Sequence, residues 1–203
     1  ISGACIKSHS SSLIAINSGM SLGRQRFSLA HELYHYYFDH DTTSTVCSSA
    51  IGTGNTKEKR ADQFASYFLI PSAALYELIT SLKKDQNRKL NINEIIRLEQ
   101  YFGVSHQAML VRLLQEGEIC SSELLELQKG VISTAAKLGF DTSLYKPSLK
   151  DKTQYVLGHY ILQAERLLQD NKITKGKYEE FLLDAFRDDI VYGEDQEGGE
   201  LLD

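Results

Sequence analysis

The chain has three cysteines, Cys5, Cys47 and Cys120, an odd number set far apart and without a C-x-x-C pair. That spacing suits reduced thiols better than a disulfide framework, so the expected location is the cytoplasm. No apolar run approaches the ~20 residues that span a bilayer, and no secretory leader is visible, so no membrane association is expected. A basic surplus is missing too. With a net charge of -5 over 203 residues, the chain has no electrostatic footprint for nucleic acid, and direct nucleic-acid binding is not expected. Internal repeats are absent. The first residue is Ile1 rather than Met, from which we expect that an N-terminal piece has been removed or lies outside this chain.

The negative charge is local. Residues 184–203 hold eight acids and one base, which leaves residues 1–183 at +2. EDQEGGELLD therefore reads as an acidic, disordered tail over 193–203.

What the chain does have is RQRFSLAHELYHYYFDH, Arg24 to His40, with His31-Glu32-Leu33-Tyr34-His35 at its centre. Residues four apart share one helix face, so His31 and His35 can aim two ring nitrogens at one point, as zinc ligands do. Glu32 follows the first histidine, where its carboxylate reaches a water without binding the metal, the position of a general base in an H-E-x-x-H hydrolase. Phe27, Leu29, Ala30, Leu33, Tyr34, Tyr36, Tyr37 and Phe38 make the helix apolar on most sides. Burial follows, and buried ionisable groups need a partner such as a metal ion.

A catalytic zinc site takes three protein ligands and keeps one open position. One candidate for the third is Asp41, six residues past His35, but that layout needs a Gly where Phe38 stands. The other is Glu58, with Asp62 four residues on, a spacing similar to the thermolysin-like arrangement in which the second acid holds a ligand histidine's other nitrogen. Asn55 and Glu58 also read as a capping box. Cys47 and His40 are further donors.

Around the motif, Ala4-Cys5-Ile6 and Leu13 to Ile16 predict a β-hairpin, and Thr45 to Cys47 a short strand. The second hairpin strand is expected either to offer its edge to an extended substrate or simply to cover the core. Helices are expected over 24–38, 57–69, 72–82 (capped by Ser72), 92–102, 105–115, 122–138, 153–169 and 174–192. The expected class is α+β, predominantly helical, with a small sheet packed on the H-E-x-x-H helix and a helical C-terminal extension. Residues 1–117 form the motif-bearing domain and 118–192 a helical region. Within the first, 92–115 is helix, Gly-Val-Ser turn, helix. Glu99 and Arg112 stand where a DNA-reading pair would carry a small and an apolar residue, and its two bases meet two acids, so a packing role is expected. In the C-terminal region Tyr155, Leu162, Leu167, Tyr178, Phe181, Leu182 and Phe186 are expected to form a helical core.

Arg24-x-Arg26-Phe27-Ser28-Leu29-Ala30-His31-Glu32-Leu33-x-His35, then Glu58-x-x-Ala61-Asp62-x-Phe64-Ala65 ending in Leu69-Ile70-Pro71, and Phe102-Gly103-Val104-Ser105 with Arg112-Leu113, resemble the ImmA/IrrE family of zinc metallopeptidases over residues 1–117. Members often have Asn at the position of Asp62 and Gly at that of Tyr34. The resemblance implies one zinc ion per chain on His31, His35 and Glu58, Glu32 as the catalytic glutamate, and Asp62 supporting a ligand. It also implies a bacterial cytoplasmic protein that cleaves a helix-turn-helix (Xre-type) repressor and so derepresses genes of a mobile element or stress response. The alternative is a zinc-containing regulator that sequesters such a partner and hydrolyses nothing.

Overall fold

A computed structural model describes residues 1–7, 12–39, 44–47, 55–83, 88–148, 156 and 158–193. The chain divides into two compact units, Ile1–Ser148 and Leu149–Asp203. The class is predominantly helical α+β.

In the first unit, strands β1 (Gly3–Lys7), β2 (Ser12–Ile16) and β3 (Ser44–Cys47) form an antiparallel sheet in the order β2-β1-β3. Alternation in β1 decides what faces the helices: Gly3 and Cys5 are buried while Ile6 is exposed. Cys47 pairs with Gly3 across the β1–β3 ladder, which puts both on the inward face.

That face covers α1 (Leu22–Phe38), whose buried residues include Phe27, Ser28, Ala30, His31, Glu32 and His35. Two contacts fix its ends. At the start, a Cβ on Gly23 would stand 2.5 Å from the Ser105 nitrogen and 2.7 Å from the Val104 carbonyl carbon, so only a residue without a side chain lets the helix approach this backbone. At the finish, the Lys7 ammonium of β1 donates to the carbonyls of His35 and Asp39, a cation at the helix end where the carbonyls are unpaired.

Helix α2 (Thr56–Leu69) lies against α1. Asn55 starts it by accepting from the Lys57 and Glu58 amides. Tyr34, Phe38, Phe64 and Phe68 form an aromatic ladder along the pair, with centroid separations of 5.1, 5.8 and 5.5 Å from one rung to the next; each such contact adds about 0.5–1.5 kcal/mol beyond its buried area.

Helices α3 (Ser72–Leu82), α4 (Ile92–Phe102) and α5 (His106–Gln115) complete the core, in which Phe27, Ala30, Ala65, Leu75, Ile79, Ile95, Leu98, Met109 and Leu113 meet. Ser72 does not cap α3: it is the first helical residue, and its hydroxyl accepts from Arg112 Nη2 at 2.8 Å. The α4–α5 pair packs. Glu99 is fully buried, with Oε1 accepting from His106 Nδ1 at 2.6 Å and Oε2 from the Tyr145 hydroxyl at 2.8 Å. Arg112, also fully buried, donates to Ser66, Ser72 and Glu116 and stacks over Tyr67.

The single helix expected over 122–138 is two, α6 (Leu124–Leu127) and α7 (Val131–Lys137), because Gly130 adopts a left-handed φ of 70° between them. A 3-10 helix (Thr142–Tyr145) follows and contributes Tyr145 to Glu99. In the second unit, α8 (His159–Gln169) packs on α9 (Lys175–Asp184), which Thr174 caps. The helix expected through Tyr192 breaks at Phe186, whose φ is 55°, before α10 (Asp188–Tyr192). Ala164, Leu182 and Ala185 are buried there, whereas Leu162 and Phe186 are exposed, contrary to the expected core; Tyr155 lies outside the described residues. Among the described residues no single helix is long and apolar enough to cross a membrane.

Candidate metal centre

The spacing on α1 does what it predicts. His31 and His35 present their Nε2 atoms to each other at 3.2 Å, and the Glu58 carboxylate of α2 meets both, Oε2 at 3.2 Å from His31 Nε2 and Oε1 at 3.4 Å from His35 Nε2. Asn55 keeps its half of the capping arrangement, while the Glu58 side chain turns to the histidines.

The other ring nitrogens explain why this meeting is electron-rich. His31 Nδ1 lies 2.8 Å from Asp62 Oδ1, and His35 Nδ1 lies 2.6 Å from Asp39 Oδ2. Ionised carboxylates only accept, so both Nδ1 atoms carry a hydrogen, and Nε2, when it carries none, presents a lone pair. Two lone pairs and a carboxylate facing one another repel unless a cation stands between them. A proton is one such cation. Burial pulls His31 down, but the hydrogen bond and charge of Asp62, backed by Glu58 and Glu32, outweigh it and raise its affinity for a proton. A metal ion is the other. Four donors about 2.0–2.1 Å from a zinc at tetrahedral angles stand roughly 3.3 Å apart, and the three separations here bracket that figure.

Cys47 Sγ completes the group: it and the donor atoms of His31, His35 and Glu58 all lie within 4.8 Å of one another. The strand that brings a donor to the centre is therefore β3; β2 pairs, among the described residues, on the far side of β1. Asp41 and His40 lie outside the described residues.

Glu32 sits beside this cluster, 0% exposed, and neither carboxylate oxygen has a hydrogen-bond partner of ordinary geometry among the described residues; the Cys47 thiol is its polar neighbour. Burial is the main cause that raises its pKa, opposed by Cys47 and the two histidines. Gly3 makes the room, since a Cβ there would stand 2.7 Å from Glu32 Oε1.

Two supporting residues escape a motif reading. Asp39, whose pKa is held down by its hydrogen bond to His35 against the effect of burial, follows His35 by four on the same helical path, the very spacing that links the two histidines. Gly3 carries no signal, because its role depends on strand pairing. The residues present could hold a metal ion: two imidazole nitrogens, a carboxylate and a thiol converge, and the buried Glu32 carboxylate adjoins them.

No curated protein sequence matches the chain significantly. A family model described as the IrrE N-terminal-like domain, a peptidase family, matches residues 1–114, which hold the whole sheet and helices α1 to α4 with nearly all of α5, and the chain belongs to that family.

Proposed function

We propose that the chain is a zinc-dependent endopeptidase, with zinc held by His31, His35 and Glu58 and with Glu32 as general base. One observation carries this reading: a fully buried carboxylate, with the Cys47 thiol as its polar neighbour and no hydrogen bond of ordinary geometry among the described residues, stands beside converging metal donors. A purely structural metal site has no use for such a group, and burying a carboxylate with so little hydrogen bonding costs free energy. The same group is what hydrolysis requires.

When bound, zinc at this site supplies a Lewis acid for the scissile carbonyl and lowers the pKa of a bound water. Glu32 takes a proton from the attacking water at its carboxylate oxygen and delivers it to the leaving amine. Asp62 and Asp39 hold the histidines in the tautomer that presents Nε2. Among the described residues β3 is an edge strand, and its outer side would offer main-chain groups to an extended peptide. Following the family resemblance, the substrate is a helix-turn-helix repressor of a mobile element or stress locus, met in the bacterial cytoplasm.

Glu32→Gln tests the mechanism. The variant is expected to bind zinc at one ion per chain, measured by mass spectrometry, and to lose cleavage of a repressor encoded beside it. Retained cleavage would sink the role of Glu32. Glu58→Ala is expected to lose the zinc.

A further inference from the structure

We infer that Cys47 is a fourth protein ligand of the metal, so that the resting centre is a closed site of two histidines, one glutamate and one thiolate. This rests on the metal-binding reading above and adds to it a donor and a latent state.

Three observations point the same way. The thiol sulfur lies within 4.8 Å of the donor atoms of both histidines and Glu58, close enough for small side-chain adjustments to bring four atoms onto one ion. Cys47 is 1% exposed, and of its fellow donors only Glu58 retains appreciable exposure, at 18% of its side chain. The centre is therefore enclosed where a hydrolytic site needs a position open to water. Position follows from sheet register: Cys47 lies opposite Gly3, and Gly3 lets the sheet approach α1 closely enough for β3 to bring its thiol over the histidines. Cys5, on the same strand face as Gly3, is buried but outside the group, and Cys120 is exposed. Thiolate is a preferred zinc donor, and four-donor shells containing sulfur characterise zinc sites without an open position. As the sulfur lone pair binds the metal, the S–H bond breaks and its proton is released to solvent. No electrons are transferred.

The test is X-ray absorption at the zinc edge on the full zinc-loaded chain, as wild type, Cys47→Ala and Cys47→Ser. The expected wild-type spectrum contains one sulfur at about 2.3 Å beside nitrogen and oxygen at about 2.0–2.2 Å. Both variants are expected to keep one zinc per chain, to lose the sulfur shell, and to release about one proton fewer per zinc when the apo chain is loaded at fixed pH. Wild-type zinc ligated by nitrogen and oxygen alone overturns the inference and leaves the three-ligand reading standing. A sulfur shell that persists in Cys47→Ala overturns it as well, because another thiol is then the donor. Wild type that takes up no zinc overturns both readings, which separates the two failures. Should the variants fail to fold, the wild-type spectrum decides.

Discussion

Asp39→Ala isolates a residue that touches no metal yet should govern its binding. His35 is buried and its Nδ1 hydrogen has Asp39 as acceptor at 2.6 Å. Removing the carboxylate has two separable effects. In the metal-free chain a buried N–H is left without an acceptor, at a cost of about 1–3 kcal/mol; the accompanying loss of the 3.6 Å contact to the half-exposed Lys57 adds at most about 1 kcal/mol after screening. On zinc binding, the ring loses both its fixed tautomer and the negative charge that makes Nε2 a better donor, which lowers affinity roughly 10–100-fold, or about 1.4–2.7 kcal/mol. Asp39→Asn keeps an acceptor and should recover much of the first loss but little of the second. Chelator competition reads the affinity, and urea unfolding of the metal-free chain reads the stability. Zinc affinity in Asp39→Ala equal to that of wild type would refute the reasoning, whatever happened to stability.

Other outcomes follow from the same geometry. Gly23→Ala forces a methyl into the backbone at Val104 and Ser105 and should cost about 1–3 kcal/mol, read as a lower urea midpoint. Gly3→Ala should displace the Glu32 carboxylate, whose Oε1 lies 2.7 Å from the new Cβ, lowering kcat while zinc content measured by mass spectrometry stays at the wild-type level. Glu99→Ala leaves His106 and Tyr145 without their buried acceptor, an expected loss of about 1–3 kcal/mol for each orphaned donor, measured by thermal unfolding. Glu94 closes the capping box of α4 and its pKa is lowered, mainly by the Arg88 hydrogen bond. A depressed carboxylate stabilises the fold above its unfolded pKa of about 4.5, and that stability is lost as pH falls through the lower folded value. Melting temperatures from pH 6 to pH 3 should fall less steeply in Glu94→Gln than in wild type.

Much of the centre was legible because it is written in helix periodicity. His31 and His35 share a face by their spacing, and Glu58 and Asp62 share another, so each pair could be read without knowing how the helices meet. Asp39 obeys the same spacing and was overlooked because it lies past the recognised motif. Cys47 was a minor candidate, since its place depends on antiparallel register with Gly3, a long-range pairing that no local pattern encodes. The helix boundaries tell a similar story. Gly130 marks the break between α6 and α7, but it read as an interior residue of a longer helix. Nothing in the composition around Phe186 signals its left-handed backbone.

Helix α2 delivers Glu58 and Asp62 together, one as a donor to the cluster and one as the prop of His31. They stand one turn apart, so anything that rotates or withdraws this helix would remove one proposed ligand and loosen another in a single motion. Sliding α2 by one residue would swing both carboxylates by about 100°, leaving no half-built arrangement in between. The centre thus behaves as a two-handed clasp. With the proposed ligands, metal loading would report whether α1 and α2 are in register, and a lesion along their aromatic seam should be felt first as leaking metal rather than as an altered reaction.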